Sequence, residues 1–159
     1  MAETQEQQQP GVGSPGIQLS IQKIYVKDLS FETPNSPQIF LENWAPEINV
    51  QLRSAAAPQS EGVYEVVLTI VITAKQGDRT AYLAEVHQAG IFNIAGGNEA
   101  DLAPVLGSLC PSVLFPFARE VVAGLVAKGG FPQFLLSPVN FDALYMHTRA
   151  KAGQGEVLQ

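Results

Sequence analysis

Cysteine is almost absent. Cys110 is the single one in 159 residues, so no internal disulfide can form, which suits a reducing compartment. Basic side chains are also scarce, nine against fifteen acidic, and the formal net charge is −6. Nucleic acid and anionic membrane surfaces need clustered Lys and Arg, so both are disfavoured as partners. An acidic chain can instead attract a basic protein. The N-terminal MAETQEQQQPGVGSPG has neither a basic n-region nor an apolar core, so no signal peptide is expected. No uninterrupted apolar run approaches the ~20 residues that span a bilayer. These absences together lead to the expectation of a cytoplasmic protein.

Catalytic signatures are missing as well. The sequence has no CxxC, no HExxH and no carboxylates at metal-ligand intervals. No Gly-Lys-Ser/Thr follows Gly96-Gly97, so they form no phosphate loop, and no Gly-x-Ser-x-Gly elbow occurs. Nothing places His87 or His147 beside Cys110. That cysteine precedes an expected helix, where a thiolate would be favoured, but a buried structural role is the expectation. The chain therefore reads as a non-enzyme without metal or cofactor.

Apolar residues make up 46% of the chain, enough for one domain that buries roughly two thirds of its unfolded surface. Residues 1–16, rich in Gln, Gly, Pro and Glu, cannot repay the entropy of ordering and are expected as a disordered arm. Ile17, Leu19, Ile21, Tyr25, Leu29 and Phe31 alternate with polar residues, the pattern of a long half-buried strand. Ile24 and Val26 break its polar face and Lys27 its apolar one, which suggests a bulge. Residues 33–46 hold Pro34, Pro37 and Pro46 and read as a long connection carrying Ile39, Phe40, Leu41 and Trp44.

Ile48, Val50 and Leu52 form a short second strand, and residues 54–62 read as a small-residue linker. Residues 63–74 give a third strand, with Tyr64, Val66, Leu68, Ile70 and Ile72 on one face. A hairpin turn at Gln76-Gly77-Asp78 leads into a fourth, residues 80–94, with a bend or bulge expected at Gly90. Gly96-Gly97-Asn98 ends the sheet region.

The second half is helical. Residues 99–109 suggest a short helix before the central one, residues 111–127. Pro111 suits a first helical position, and Lys128 followed by Gly129-Gly130 reads as a stop. Leu114, Phe117, Ala118, Val121 and Leu125 follow helical spacing. Phe115, Val122 and Val126 make the other flank apolar, so this helix needs cover on both sides. A sheet can cover one side and a second copy of the chain the other. Pro116 should kink the helix or tighten its first turn. Arg119-Glu120 reads as a local or intersubunit charge pair. Residues 131–138 form an apolar loop, and Asn140 caps a last helix, with a fraying tail from residue 153. Strands first and helices afterwards define an α+β domain, helices on one side of an antiparallel sheet. Three function classes fit: a binder of extended chains, a structural interaction module, or a small-molecule carrier in a sheet–helix cavity.

Several blocks resemble the SecB family of protein-export chaperones. They are YVKDLSFETPNSP, VYEVVLTIVITA, EVHQAGIFNIAG, LCPSVLFPFAREVV and GGFPQFLLSPVNFDALY, in family order over residues 17–145. The resemblance implies a four-stranded antiparallel sheet with helices on one face, assembled as a dimer of dimers, in a chaperone domain of residues 17–152 with a flexible tail at 153–159. It implies a cytosolic holdase that binds unfolded precursors and delivers them to the translocation ATPase SecA without nucleotide or metal. The family's SecA-docking surface falls on Asp28, Glu32, Leu83 and Glu85. Its client groove falls on Phe40, Trp44, Ile48, Val50, Leu52 and Leu144. Some SecB-like chaperones instead serve toxin–antitoxin systems; the matching acidic positions here favour export.

Overall fold

The computed structural model describes residues 16–156, with side chains as far as residue 151. The arm expected at residues 1–16 lies outside that range except for Gly16, as do the last three residues of the expected tail. Strands β1 (Gln18–Glu32), β2 (Glu47–Ser60), β3 (Val63–Gln76) and β4 (Arg79–Ala95) come first. Helix α1 (Glu99–Pro104), a π-turn (Val105–Leu109), α2 (Cys110–Lys128) and α3 (Phe141–Glu156) follow. The four strands form one antiparallel sheet in the order β1-β4-β3-β2, and α2 packs on β4 and β3. The expected α+β architecture is therefore present.

Alternation along β3 and β4 fixes the two faces. Val66, Leu68, Ile70 and Ile72 of β3 and Tyr82, Val86 and Phe92 of β4 are buried beneath α2 and the loops beside it. Their neighbours Thr73, Leu83, Glu85 and His87 are only half-buried, on the opposite face. The two-residue turn Gly77-Asp78 closes the β3–β4 hairpin where the sequence places it.

Strand β1 departs from the simple alternation. Its register against β4 shifts between Ile21 and Lys23 and again between Val26 and Asp28, leaving Gln22 and Lys27 as extra residues. Each bulge inverts the parity of the residues that follow it. Ile24 and Val26 therefore join Leu19, Ile21, Leu29 and Phe31 opposite the inward residues of β4, and Tyr25 moves to the outer face, against the expected assignment.

Strand β2 runs to Ser60, so residues 54–60 are strand and not linker. Their small side chains carry no alternation to read, but backbone pairing of Ala55 to Val67 and Ala57 to Glu65 suffices at a sheet edge. The connection 33–46 is not wholly irregular, since Gln38–Leu41 forms a 3-10 turn that buries Ile39. Gly90 is neither bend nor bulge; its pairing with Ile24 and Val66 is regular. A Cβ there would stand 2.8 Å from the Phe92 ring and 2.9 Å from Leu114, so glycine lets α2 approach the sheet.

The helical half differs from the sequence expectation in three respects. First, α1, the π-turn and α2 run as one 30-residue helix, Glu99–Lys128, and Pro111 lies inside it rather than at its start. The Cys110 N–H reaches back to the Val105 carbonyl, a widened turn that makes room for the proline ring against the preceding carbonyls. The true start is Asn98, whose backbone N–H donates to the Asp101 carboxylate (Oδ2) at 3.2 Å, three residues into the helix. By length and composition alone this helix could cross a bilayer, contrary to the sequence expectation; in the fold it lies against the sheet, and Arg119 and Glu120 interrupt its apolar surface.

Second, the face turned to the sheet is Pro111, Leu114, Phe115, Ala118, Val122 and Val126. Val122 and Val126 are fully buried within the protomer, whereas Phe117 is exposed and Val113, Val121 and Leu125 half-buried on the other side. Third, Arg119 and Glu120 are exposed and form no ion pair among the described residues, so they are not a local charge pair. At the last helix the expectation holds: Asn140 Oδ1 accepts the Ala143 N–H at 3.0 Å.

Candidate binding surfaces

The inner side of the sheet carries a dense aromatic cluster at one end of the strands. The Tyr82 ring, on β4, lies 4.9 Å from Phe131, 5.8 Å from Phe31 and 6.3 Å from Trp44. Phe131 also meets Phe40 at 5.1 Å and Trp44 at 5.3 Å. The glycines after α2 make this possible. A Cβ on Gly129 would lie 2.5 Å from the Phe31 ring, and Gly130 takes φ +86° with Phe40 3.3 Å from where its Cβ would be. Burial raises the pKa of Tyr82, and its hydroxyl has no hydrogen-bond partner among the described residues.

Above this cluster lies an open cleft of about 460 Å³, lined by Ile39, Phe40, Glu42, Trp44, Phe131 and Pro132 among others. A second cleft, of about 400 Å³, lies where β2 faces the π-turn and α3 and is lined by Leu52, Leu68, Gly107, Phe141, Leu144 and Tyr145 among others. Gly107 admits Tyr145, whose ring would be 2.5 Å from a Cβ there. The Ser108 hydroxyl donates to Asp142 Oδ1 and ties α3 to the π-turn. Ile48 and Val50 lie between the clefts, paired with Ala74 and Ile72 of β3, the residues that face the core.

The structure thus distributes the expected groove residues over one side of the sheet: Phe40 and Trp44 in the first cleft, Leu52 and Leu144 in the second, Ile48 and Val50 between. Phe131 was not among the expected residues. The double glycine before it signalled a helix stop, and only the folded loop shows that the stop also seats an aromatic side chain.

Asp28, Glu32, Leu83 and Glu85 meet on the opposite, outer face. Asp28 pairs with His87, Ser30 with Glu85 and Glu32 with Leu83 across the β1–β4 ladder. Asp28 and Glu32 are exposed, and neither enters an ion pair among the described residues. Glu85 differs: its Oε1 lies 3.8 Å from Arg53 of β2 and 3.5 Å from His87 Nε2. Arg53 and His87 are the residues at this face that sequence reading did not single out.

Nearby, Lys27 donates to Glu65 Oε1 at 2.7 Å and the Tyr25 hydroxyl to Glu65 Oε2. The Lys27 bond, then that of Tyr25, holds the Glu65 carboxyl below its ordinary range. Burial, then the Glu65 contact, pushes Tyr25 up to about 12. Cys110 is buried in the core, and burial pushes its thiol up to about 12, where it is not a nucleophile at neutral pH.

An α+β sheet with an aromatic cleft inside and an acidic strip outside fits a polypeptide-binding module. Residues 6–152 match the family described as preprotein translocase subunit SecB, and the chain belongs to that family of protein-export chaperones. It is 57% identical over 162 residues to the protein-export protein SecB of Nitrosococcus oceani, covering 99% of each chain. It is 54% identical over 140 residues to that of Methylococcus capsulatus, covering 88% of this chain and 90% of the relative. Among solved structures, a Mycobacterium tuberculosis SecB-like chaperone in complex with a ChAD peptide from the HigA1 antitoxin shares the fold. Its TM-score is 0.64 at 15% identity, over 76% of this chain and 90% of that one.

Proposed function

We propose that this SecB-family chain is a cytoplasmic holdase that binds unfolded precursor polypeptides on the inner side of the sheet and delivers them to SecA through the outer side. The observation that carries this reading is the division of surfaces. Apolar and aromatic side chains line the two clefts, while Asp28 and Glu32 stand exposed on the other face. The first cleft is open to one side, which suits an extended chain better than an enclosed small molecule. Holding many clients requires apolar and main-chain contacts instead of a specific polar code.

Phe40, Trp44, Ile48, Val50, Leu52 and Leu144 form the client surface in this reading, with Phe131 added. Asp28, Glu32, Leu83 and Glu85 form the SecA surface. The apolar outer side of α2, with Val113, Phe117, Val121 and Leu125, is covered by another copy in a dimer of dimers. No metal, nucleotide or other cofactor takes part.

The test is a titration of an unfolded precursor against the wild-type chain and against Trp44→Ala and Leu52→Ser, with SecA binding measured in parallel on an Asp28→Asn/Glu32→Gln variant. The groove variants should lose client affinity and keep SecA binding; the acidic variant should do the reverse. Unchanged client affinity in both groove variants would place the client elsewhere.

A further inference from the structure

A row of four outward residues crosses the whole sheet. Asp28 of β1 pairs with His87 of β4, His87 with Thr69 of β3, and Thr69 with Arg53 of β2. His87 sits inside this row, its side chain 24% exposed. Its Nδ1 lies 3.3 Å from Thr69 Oγ1 and its Nε2 3.5 Å from Glu85 Oε1. The charged groups around the ring are Asp28, its pairing partner on β1, Glu85 from its own strand, Arg53 from β2, which reaches the same Glu85 oxygen, and, beside Asp28, Lys27, which is held across β4 by Glu65 of β3. Thr69 supplies the contact from β3.

We propose that His87 sets the charge of this face, so that a basic protein surface is held while the ring is neutral and loosened when the ring takes up a proton. The inference rests on the reading of Asp28, Glu32, Leu83 and Glu85 as the docking surface. Histidine is the side chain that changes charge between about pH 5 and 8. A proton on His87 turns the 3.5 Å contact with Glu85 into an ion pair and withdraws that carboxylate from an incoming base. With Arg53 already beside Glu85, the protonated ring leaves Asp28 and Glu32 as the free acids of the face. The effect is reciprocal: a basic partner brought against the face drives the proton off the ring. One unit charge several ångströms from the partner's bases, in a largely aqueous dielectric, corresponds to roughly a threefold change in affinity.

The experiment measures the affinity of the full-length chain for SecA at pH 7.5 and pH 6.0 and constant ionic strength, with wild type, His87→Gln, His87→Lys and Asp28→Asn/Glu32→Gln. Wild type should lose roughly threefold more affinity than His87→Gln on acidification, since the glutamine variant removes the ring and leaves the partner's own titration in place. His87→Lys should bind weakly at both pH values. Equal pH responses in wild type and His87→Gln, with the acidic variant still defective, would overturn the role of His87 and leave the docking face standing. An acidic variant that binds like wild type at pH 7.5 would remove the docking face, and this proposal with it.

Discussion

The Lys27 ammonium lies 2.7 Å from Glu65 Oε1, and the contact passes over an intervening strand. Lys27 is the extra residue of the second β1 bulge, whereas Glu65 belongs to β3, on the far side of β4. A residue left unpaired in the ladder thus links non-adjacent strands, with Tyr25 completing the contact from the same side.

That link gives a pH dependence with a definite sign. The Glu65 carboxyl is held below its ordinary value, so its contribution is present above the normal carboxylate range and is lost as pH falls through the lowered value. Tyr25 is raised to about 12, so its contribution is present below about 10 and is lost as pH rises towards 12. Thermal melts of wild type and Glu65→Gln should differ at pH 7 and converge as the solution is acidified. Lys27 is half exposed, so Lys27→Met alone should cost no more than about 1 kcal/mol.

The two sides of α2 should respond differently to charge. Val126→Asp places an unpaired carboxylate in a fully buried site and should abolish folding, as judged by circular dichroism. Val122→Ala should fold but lose roughly 2 kcal/mol in denaturant melts. Phe117→Glu, on the exposed side, should leave the protomer's helical signal intact and lower the mass seen by light scattering. A mass unchanged by Phe117→Glu would move the proposed contact between copies to another surface.

Gly90 tests the approach of α2 to the sheet. In Gly90→Ala the new methyl meets Phe92 and Leu114 below 3 Å, so the melt should shift by about 1–3 kcal/mol of lost stability. A variant as stable as wild type would mean that the helix moves away without loss.

Trp44 is the only tryptophan in the chain and lies in the first cleft, so its emission reports occupancy directly. Adding an unfolded precursor should change the emission and saturate; the same protein added folded should leave the signal flat. A response to both forms would be incompatible with a holdase.

The acidic strip was readable in the sequence because residues 28–32 lie beyond both bulges, where parity is unbroken. Tyr25 lies between the bulges, so its face depended on pairing that no local pattern records. Helix α2 is apolar nearly all round, and periodicity alone could not choose Val122 and Val126 over Val121 and Leu125 for the sheet. Its beginning could have been found at Asn98, with Asp101 three residues on. Pro111 outweighed that signal because proline favours first turns, and a π-turn that tolerates it leaves no sequence mark. The aromatic cleft was half legible: Phe40 and Trp44 announced themselves on a proline-rich loop, while Phe131 arrives from the other end of the fold.

The spacing of the two clefts along β2 has a consequence for what can be held. Trp44 precedes the strand and Leu52 lies within it, eight positions further on, so at ~3.3 Å per extended residue the interval is at most about 26 Å. A client lying extended beside β2 therefore needs about eight exposed residues to reach both. The groove would then act as a ruler: a native surface loop of four or five residues fills one cleft and departs, while a chain not yet folded spans the pair.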